Sequence, residues 1–485
     1  MAQGRDEKAI TPQSQDFDRW YTDVVRRAEL ADYTPVGGCM VVRPYGWALW
    51  ENTSGALDAM IKRTGHENMQ FPLLIPESLL AKEAQHVEGF APEVAWVTHG
   101  GSKELEERLA IRPTSETMIC TLYRDWLQSW RDLPVLVNQW VNVLRWEKRT
   151  RLFLRTTEFW WQEGHTFHET HAEAAEEVER MLGCYRELAE EWLALAVVPG
   201  RKTESEKFAG AEYTISIEAI MRDGLALQAG TSHQLGQNFT RAYDVRVTDR
   251  DNGQLHPYQT SWGLSTRMIG AVIMGHGDDG GLVLPPRVAP VQVAVVPIAR
   301  SNDEDGSRLV DGAVARLEAE AGDLGVRLRV DRREGIRPGE KFAHWELRGV
   351  PLRVTAGAKD LAEGMLTVKR RVDGQEWKLP AETVAAALPR LLDEAQEATR
   401  ERARRLLVER SREVGTLEEL QAAFAELDVF ANAPFCDSAG CEARVKAAVH
   451  AVSVRNLRSD RSAGGAPCLV CGRPAEAVAL IAKAY

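Results

Sequence analysis

The sequence predicts an α+β chain built in three units, and three observations predict it. Residues 1 to about 283 alternate long helical patterns with meandering strand-like runs, which is how an antiparallel sheet braced by helices reads. At Leu284-Pro285-Pro286 the rhythm changes to strand and helix in regular turn, the mark of a small α/β unit with a partly parallel sheet. Four of the seven cysteines then gather near the C-terminus with metal-ligand spacing. A chain of 485 residues is too long for one ordinary domain, so divisions at 1–283, 284–400 and 401–485 are expected.

In the first unit a helical pattern over 47–64 closes at Gly65, a residue suited to the position just past a helix. Residues 68–76 read as extended. Strands are predicted over 135–145 and 152–161. A helix rich in Glu and Ala is predicted over 171–196, closed by Pro199-Gly200. In the second unit strands are expected over 291–298, 326–330 and 351–355, with helices over 307–321 and 339–348. Residues 381–414 read as a helix whose mixed charge between Glu397 and Glu413 suits a solvated face laced with ion pairs.

Composition excludes several classes. Hydrophobic residues at 44% and charged residues at 27% describe a folded globular protein. A net charge of −11 excludes a generic polycation that coats nucleic acid, but not a local basic groove. No apolar run approaches the ~20 residues of a membrane helix. The N-terminus lacks the apolar core of a secretory signal, so a cytoplasmic location is expected. Cys39, Cys120 and Cys184 are scattered and read as plain core thiols.

Cys436-x4-Cys441 with Cys468-x2-Cys471 offers four thiolates in two close pairs, the donor set of a closed tetrahedral Zn²⁺ site whose role is structural. Two disulfides, or free core thiols, are the competing reading. Two other strings are decoys. Gly275-x-Gly277-x-x-Gly280 matches a dinucleotide fingerprint, but it follows a helix and places Asp278 and Asp279 where pyrophosphate would be repelled. His165, His168 and His171 recur every third residue across a strand-to-helix junction, where they do not share a face.

Five polar strings in apolar surroundings carry more. They are Arg112-Pro-Thr-Ser-Glu116, Arg145-Trp-Glu147, Arg155 through Phe159, Trp161, Glu163 and His165, Gln228 through Thr231 to His233, and Trp262-Gly-Leu-Ser265-Thr-Arg267. On a strand, residues two apart share a face, so these strings put cations, carboxylates and aromatics side by side. Burying such a face is costly unless a ligand satisfies it. An internal ion pair explains any one string, but five are harder to dismiss.

These strings resemble the class II aminoacyl-tRNA synthetases, specifically the prolyl-tRNA synthetases of the archaeal/eukaryotic-like type. Gly65 through Pro72 resembles motif 1, Arg145 through His165 motif 2, and Ser265-Thr-Arg267 the arginine of motif 3. The 87–96 string around Phe90, with Arg112 through Glu116, is similar to strings of the prolyl enzymes. The cysteine quartet is similar to that subgroup's C-terminal zinc domain. The resemblance implies a class II antiparallel catalytic domain, an α/β anticodon-binding domain, a zinc domain and a homodimer. It also implies two steps: L-proline and ATP give prolyl-adenylate, and the prolyl group then passes to tRNA(Pro).

By resemblance, Arg145 bridges the proline carboxylate and the α-phosphate, while Arg267 holds the far end of a bent ATP. Phe159 stacks on adenine. Glu147, Arg155, Gln228, Thr231 and Ser265 complete the ATP contacts, with Mg²⁺ sharing the phosphate charge. Thr114 and Glu116 accept from proline's ammonium; Phe90, Trp161, Glu163, His165 and His233 surround its ring and carboxylate. The basic residues Arg332, Arg333, Lys341, Lys369, Arg370 and Arg371 mark the anticodon-binding unit. Some prolyl enzymes insert a hydrolytic domain between motifs 2 and 3, and the interval here has no room for one. The competing readings are a threonyl or glycyl enzyme, and a synthetase-like protein without catalysis, against which Arg145 and Arg267 both stand.

Overall fold

The computed structural model describes residues 10–86, 93–299 and 302–485. An 11-stranded sheet forms its spine. Six strands make its central part: Val197–Arg201, Tyr213–Ile220, Ala226–Gly236, Tyr258–Ser265, Glu158–His168 and Val135–Leu144, neighbours in that order and all antiparallel. Glu67–Asn68 adds a parallel pairing at one edge.

Strand periodicity divides the two faces. One face packs on the helix His171–Glu187, whose Ala174, Val178, Met181, Leu182 and Tyr185 are buried at helical spacing. One strand glycine is required there: a Cβ on Gly164 would lie 2.0 Å from the Trp262 ring, while one on Gly230 would crowd Tyr185 at 3.0 Å. The opposite face is left free for the cavity described below.

Three predicted elements need correction. The 171–196 helix is α-helical only to Glu187, widens into a π-turn, Leu188–Trp192, and ends before Ala194, whose φ of 54° no α-helix carries. The 152–161 strand begins only at Glu158. Residues 151–155 instead form a turn closed by paired Arg151 and Arg155, with Leu152, Phe153 and Leu154 buried in the core. Their apolar run reported burial, not extension. The charged helix is Val384–Arg410, and its arginines do more than face water. Arg400 pairs with Glu191 at 2.7 Å, Arg402 donates to the His276 carbonyl, and Arg410 reaches Arg222 O at 3.0 Å.

The second unit is a five-stranded sheet ordered Leu328–Val330, Val293–Ile298, Leu352–Gly357, Met365–Arg370 and Glu376–Pro380. Its first three strands are parallel and the rest antiparallel, as expected. The glycine decoy ends the helix Arg267–His276, and Asp278 is held by Arg371 at 2.8 Å.

The C-terminal strands are the surprise. Phe430–Phe435, Ala477–Lys483 and Val452–Arg458 extend the large sheet, joining it through Leu457↔Arg201 and Arg458↔Gly200. The chain end is tied in too: Tyr485 donates from its hydroxyl to Asp223 and from its backbone N to Ala226 O. No described helix is long and apolar enough to cross a membrane.

Candidate active site

The free face of the sheet floors a cavity of about 320 Å³. Its floor follows from register. His165 lies opposite Ser261, Ser261 opposite His233 and His233 opposite Thr214, a row across four strands. The next row runs Gln139, Glu163, Gly263, Thr231. Trp161, Glu163 and His165 project together because they are two apart on one strand.

Two guanidinium groups stand over this floor. Arg145 donates from Nε to Pro113 O at 3.1 Å, and its charge lies 5.1 Å from the Trp161 ring centre and 5.8 Å from that of Phe159. Arg267 opens the helix Arg267–His276 and donates from Nε to Leu154 O at 3.0 Å. Among the described residues neither has a carboxylate within ion-pair reach. Burial weakens the hold of both on their protons, although an arginine stays charged. Carboxylates act on them only from beyond contact, Glu116, Glu163 and Glu147 on Arg145 and Glu218 and Glu147 on Arg267, so the two buried cations suit an anionic ligand in the cavity.

The other end carries the acceptors. Glu163 accepts from Ser115 Oγ and Gln139 Nε2, both at 2.6 Å, and pairs with His165 Nε2 at 3.2 Å. Burial alone would raise the Glu163 carboxyl; the His165 hydrogen bond and charge, with Ser115 and Arg112, hold it below its ordinary value. Burial works against a charged His165, yet Glu163 and Glu116 raise its pKa. His233 goes the other way. Burial, with the charges of His165, Arg145 and Lys202, lowers it to about 3, so it stays neutral and accepts or donates as its Thr214 contact at 2.9 Å dictates.

Of the residues given a role in the site from the sequence, twelve line this cavity: Thr114, Glu116, Arg145, Phe159, Trp161, Glu163, His165, Gln228, Thr231, His233, Ser265 and Arg267. Glu147 and Arg155 do not; they pair with each other at 2.8 Å. Phe90 lies outside the described residues. Sequence reading missed Lys202, Glu206, Phe208, Thr214 and Ser261 in the lining, and Gln139 behind Glu163. Gln139 was legible in principle, being two apart from other inward residues on a predicted strand. Lys202 through Phe208 carried no such signal, since a charged loop reads as solvent-exposed.

The four cysteines also come together. Their sulfurs all lie within 4.8 Å of one another, with Cys436 at 3.5 Å from Cys441 and 3.7 Å from Cys471. A tetrahedron with Zn–S bonds of about 2.3 Å has sulfurs about 3.8 Å apart, so the set fits zinc. Hydrogen bonding from Arg473 lowers the Cys471 thiol to about 6, toward the thiolate a metal takes. Of the remaining cysteines, Cys120 and Cys184 are buried and Cys39 only half so. The histidine triplet disperses: His165 pairs with Glu163, His168 bonds Thr166, and His171 pairs with Glu212.

Comparisons with known proteins bear on the whole chain. Residues 96–276 match the family described as tRNA synthetase class II core domain (G, H, P, S and T). Residues 292–391 match an anticodon binding domain, and 417–485 match Prolyl-tRNA synthetase, C-terminal. The chain is 51% identical over 476 residues to proline–tRNA ligase 2 of Clostridioides difficile, covering 98% of each. It is likewise 51% identical to proline–tRNA ligase of Rubrobacter xylanophilus, again covering 98% of each. A crystal structure of prolyl-tRNA synthetase from Cryptosporidium parvum, complexed with halofuginone and AMPPNP, superposes with a TM-score of 0.93 at 37% identity, covering 98% of this chain and 99% of that one.

These findings correct the subgroup expected from the motifs. The similar curated relatives are bacterial, and the matched C-terminal module with its four cysteines is of the bacterial type, so the archaeal/eukaryotic-like assignment falls. The cysteine quartet, read from the sequence as the mark of the archaeal/eukaryotic-like subgroup, belongs to the bacterial-type module instead. With half of its residues identical to proline–tRNA ligases over nearly its full length, the chain belongs to the class II prolyl-tRNA synthetase family.

Proposed function

We propose that this chain activates L-proline with ATP to prolyl-adenylate and transfers the prolyl group to tRNA(Pro). The observation that carries this is the pair of buried guanidiniums, Arg145 and Arg267, facing a cavity without carboxylate partners among the described residues. A carboxylate attacking a phosphate meets like charge on approach. Catalysis therefore consists in aligning the two and neutralising the phosphates, with no nucleophile or general base required of the protein.

Arg145 holds the proline carboxylate against the α-phosphate, and Arg267 the distal phosphates, with Phe159 against adenine. Gln228, Thr231 and Ser265 line the nucleotide end. Arg155 and Glu147 serve ATP only by opening their mutual pair. At the other end Thr114 and Glu116 receive the secondary ammonium. Trp161, Glu163, His165 and His233 bound the ring, and Phe90 is assigned there by resemblance. Mg²⁺ supplies charge neutralisation on the triphosphate; the lining's hydroxyl and amide oxygens suit a hard cation that keeps most of its ligands from phosphate.

The chemistry is assigned to 1–283, anticodon binding to 284–400 and a structural Zn²⁺ to 401–485, with a homodimer in the cytoplasm as the working form. ATP–pyrophosphate exchange with each of the twenty amino acids tests the reading. Proline alone should support rapid exchange; a different preferred amino acid overturns it.

Fidelity gives a second expected result. Alanine is smaller than proline, so the slot cannot exclude it sterically, and two lost methylenes yield only ~10²–10³ of discrimination. Between Arg155 and Arg267 the chain is spent on sheet strands and the His171–Glu187 helix, with no inserted domain. The protein should form some alanyl-tRNA(Pro) and leave it intact. Pre-formed alanyl-tRNA(Pro) incubated with the protein checks this, and hydrolysis well above the buffer rate refutes it.

A further inference from the structure

One wall of the cavity is formed by a segment with little regular structure of its own. Residues 202–212 run as turns between the strands Val197–Arg201 and Tyr213–Ile220, yet Lys202, Glu206 and Phe208 line the cavity. Phe208 packs on the His233 ring with centroids 4.8 Å apart, at the end that carries Thr114, Glu116 and His165. A loop of this length loses much conformational freedom when it is held in one place, so something must hold it.

The cysteine module supplies the holding contacts. At the loop's start, Arg201 is paired in the sheet with Leu457 and its side chain meets Asp437, the neighbour of Cys436, at 2.6 Å. In mid-loop Ser205 donates to Glu442, the neighbour of Cys441, at 2.7 Å. Lys446 then bridges Glu442 at 2.9 Å and Glu206 at 3.0 Å. Lys202 is buried and donates to two acceptors, Glu218 Oε1 and the Arg455 carbonyl, each at 2.7 Å. The Arg455 side chain closes the set by pairing with Glu218 at 3.2 Å. Half of what satisfies a buried cation in the cavity wall therefore comes from the C-terminal module. Exposed interdomain ion pairs contribute little on their own; this set differs because Lys202 and Glu218 are desolvated.

We infer that the cysteine module is a positioning element for the amino-acid end of the cavity, acting through Asp437, Glu442, Lys446 and Arg455 on the 201–212 loop. The inference rests on the proposed proline activation. These four are positioning residues that touch no substrate. Their loss should therefore weaken binding of the amino acid, whose end of the cavity the loop forms, and spare ATP, whose end is built from Phe159, Gln228 and Arg267.

The test is proline-dependent ATP–pyrophosphate exchange by the full-length zinc-loaded protein and its Ser205→Ala, Glu442→Ala and Glu442→Gln variants, with zinc content measured for each. Ser205 and the buried Glu442 make the direct contact between loop and module and neither lines the cavity. In the two alanine variants KM for proline should rise about tenfold, the scale of one charge-assisted hydrogen bond. KM for ATP and one zinc per chain should be unchanged, and Glu442→Gln, which still accepts from Ser205, should recover most of the loss. A proline KM within twofold of the parent in both alanine variants overturns the inference. So does a parallel rise for both substrates, which a merely structural contact would give. A parent protein that exchanges with another amino acid refutes the proline reading instead, and the same comparison run with that amino acid still decides the positioning role.

Discussion

Alanine in place of Arg145 or Arg267 should lower pyrophosphate exchange by ~10²–10³, the cost of removing one donor that stabilises developing charge, with an arginine on phosphate at the upper end. The structure explains why neither loss can be absorbed. Each guanidinium is anchored through Nε to a backbone carbonyl, Pro113 O and Leu154 O, which leaves the outer nitrogens for the ligand. Neither is bound to a carboxylate among the described residues, so no internal ion pair is broken and the fold should survive. Circular dichroism and thermal melting separate a catalytic loss from an unfolded protein. Near-normal exchange in either variant would refute the assignment. Lysine is an informative second substitution: it keeps the charge but loses the planar fork, so partial activity marks a role of charge and none marks bidentate geometry.

The second large effect concerns metal. One Zn²⁺ per chain is expected on Cys436, Cys441, Cys468 and Cys471, and Cys441→Ser should unfold the C-terminal module. Structural zinc binding in small modules is worth ~10–16 kcal/mol, comparable to or above the ~5–15 kcal/mol that hold a whole domain. The module's own core is modest, and Cys436, Cys441 and Cys468 are themselves part of it. Hydrogen exchange should show protection lost across 417–485 while the His171–Glu187 helix stays protected. Four thiolates leave no open coordination position, so zinc should not enter the reaction. Fresh protein without metal in elemental analysis would count against the site. So would rapid inhibition by a chelator while the module remains folded.

Much of the cavity lining was legible because its residues lie on strands, where spacing translates directly into facing. Trp161, Glu163 and His165 are two apart, and so are Thr231 and His233; the pattern alone predicts that each set shares a side of the sheet. The cysteine spacing was equally informative, since metal chemistry admits few donor sets. Element ends were less legible. Leu152, Phe153 and Leu154 are apolar because they are buried in a turn, and hydrophobicity alone does not distinguish a buried turn from a strand.

Sequence by itself determined which side chains gather, the twelve that line the cavity and the four cysteines, each specified within a few residues of its neighbours. Tertiary structure alone decided how the parts act on one another. Nothing local in Lys202 announces that its ammonium will be buried against the Arg455 carbonyl, 253 positions away. Nothing local in Val452–Arg458 says that it will extend a sheet begun far earlier in the chain. Such pairings depend on backbone hydrogen bonds, which every residue but proline offers alike, and on the match of whole surfaces, which exists only once both partners have folded.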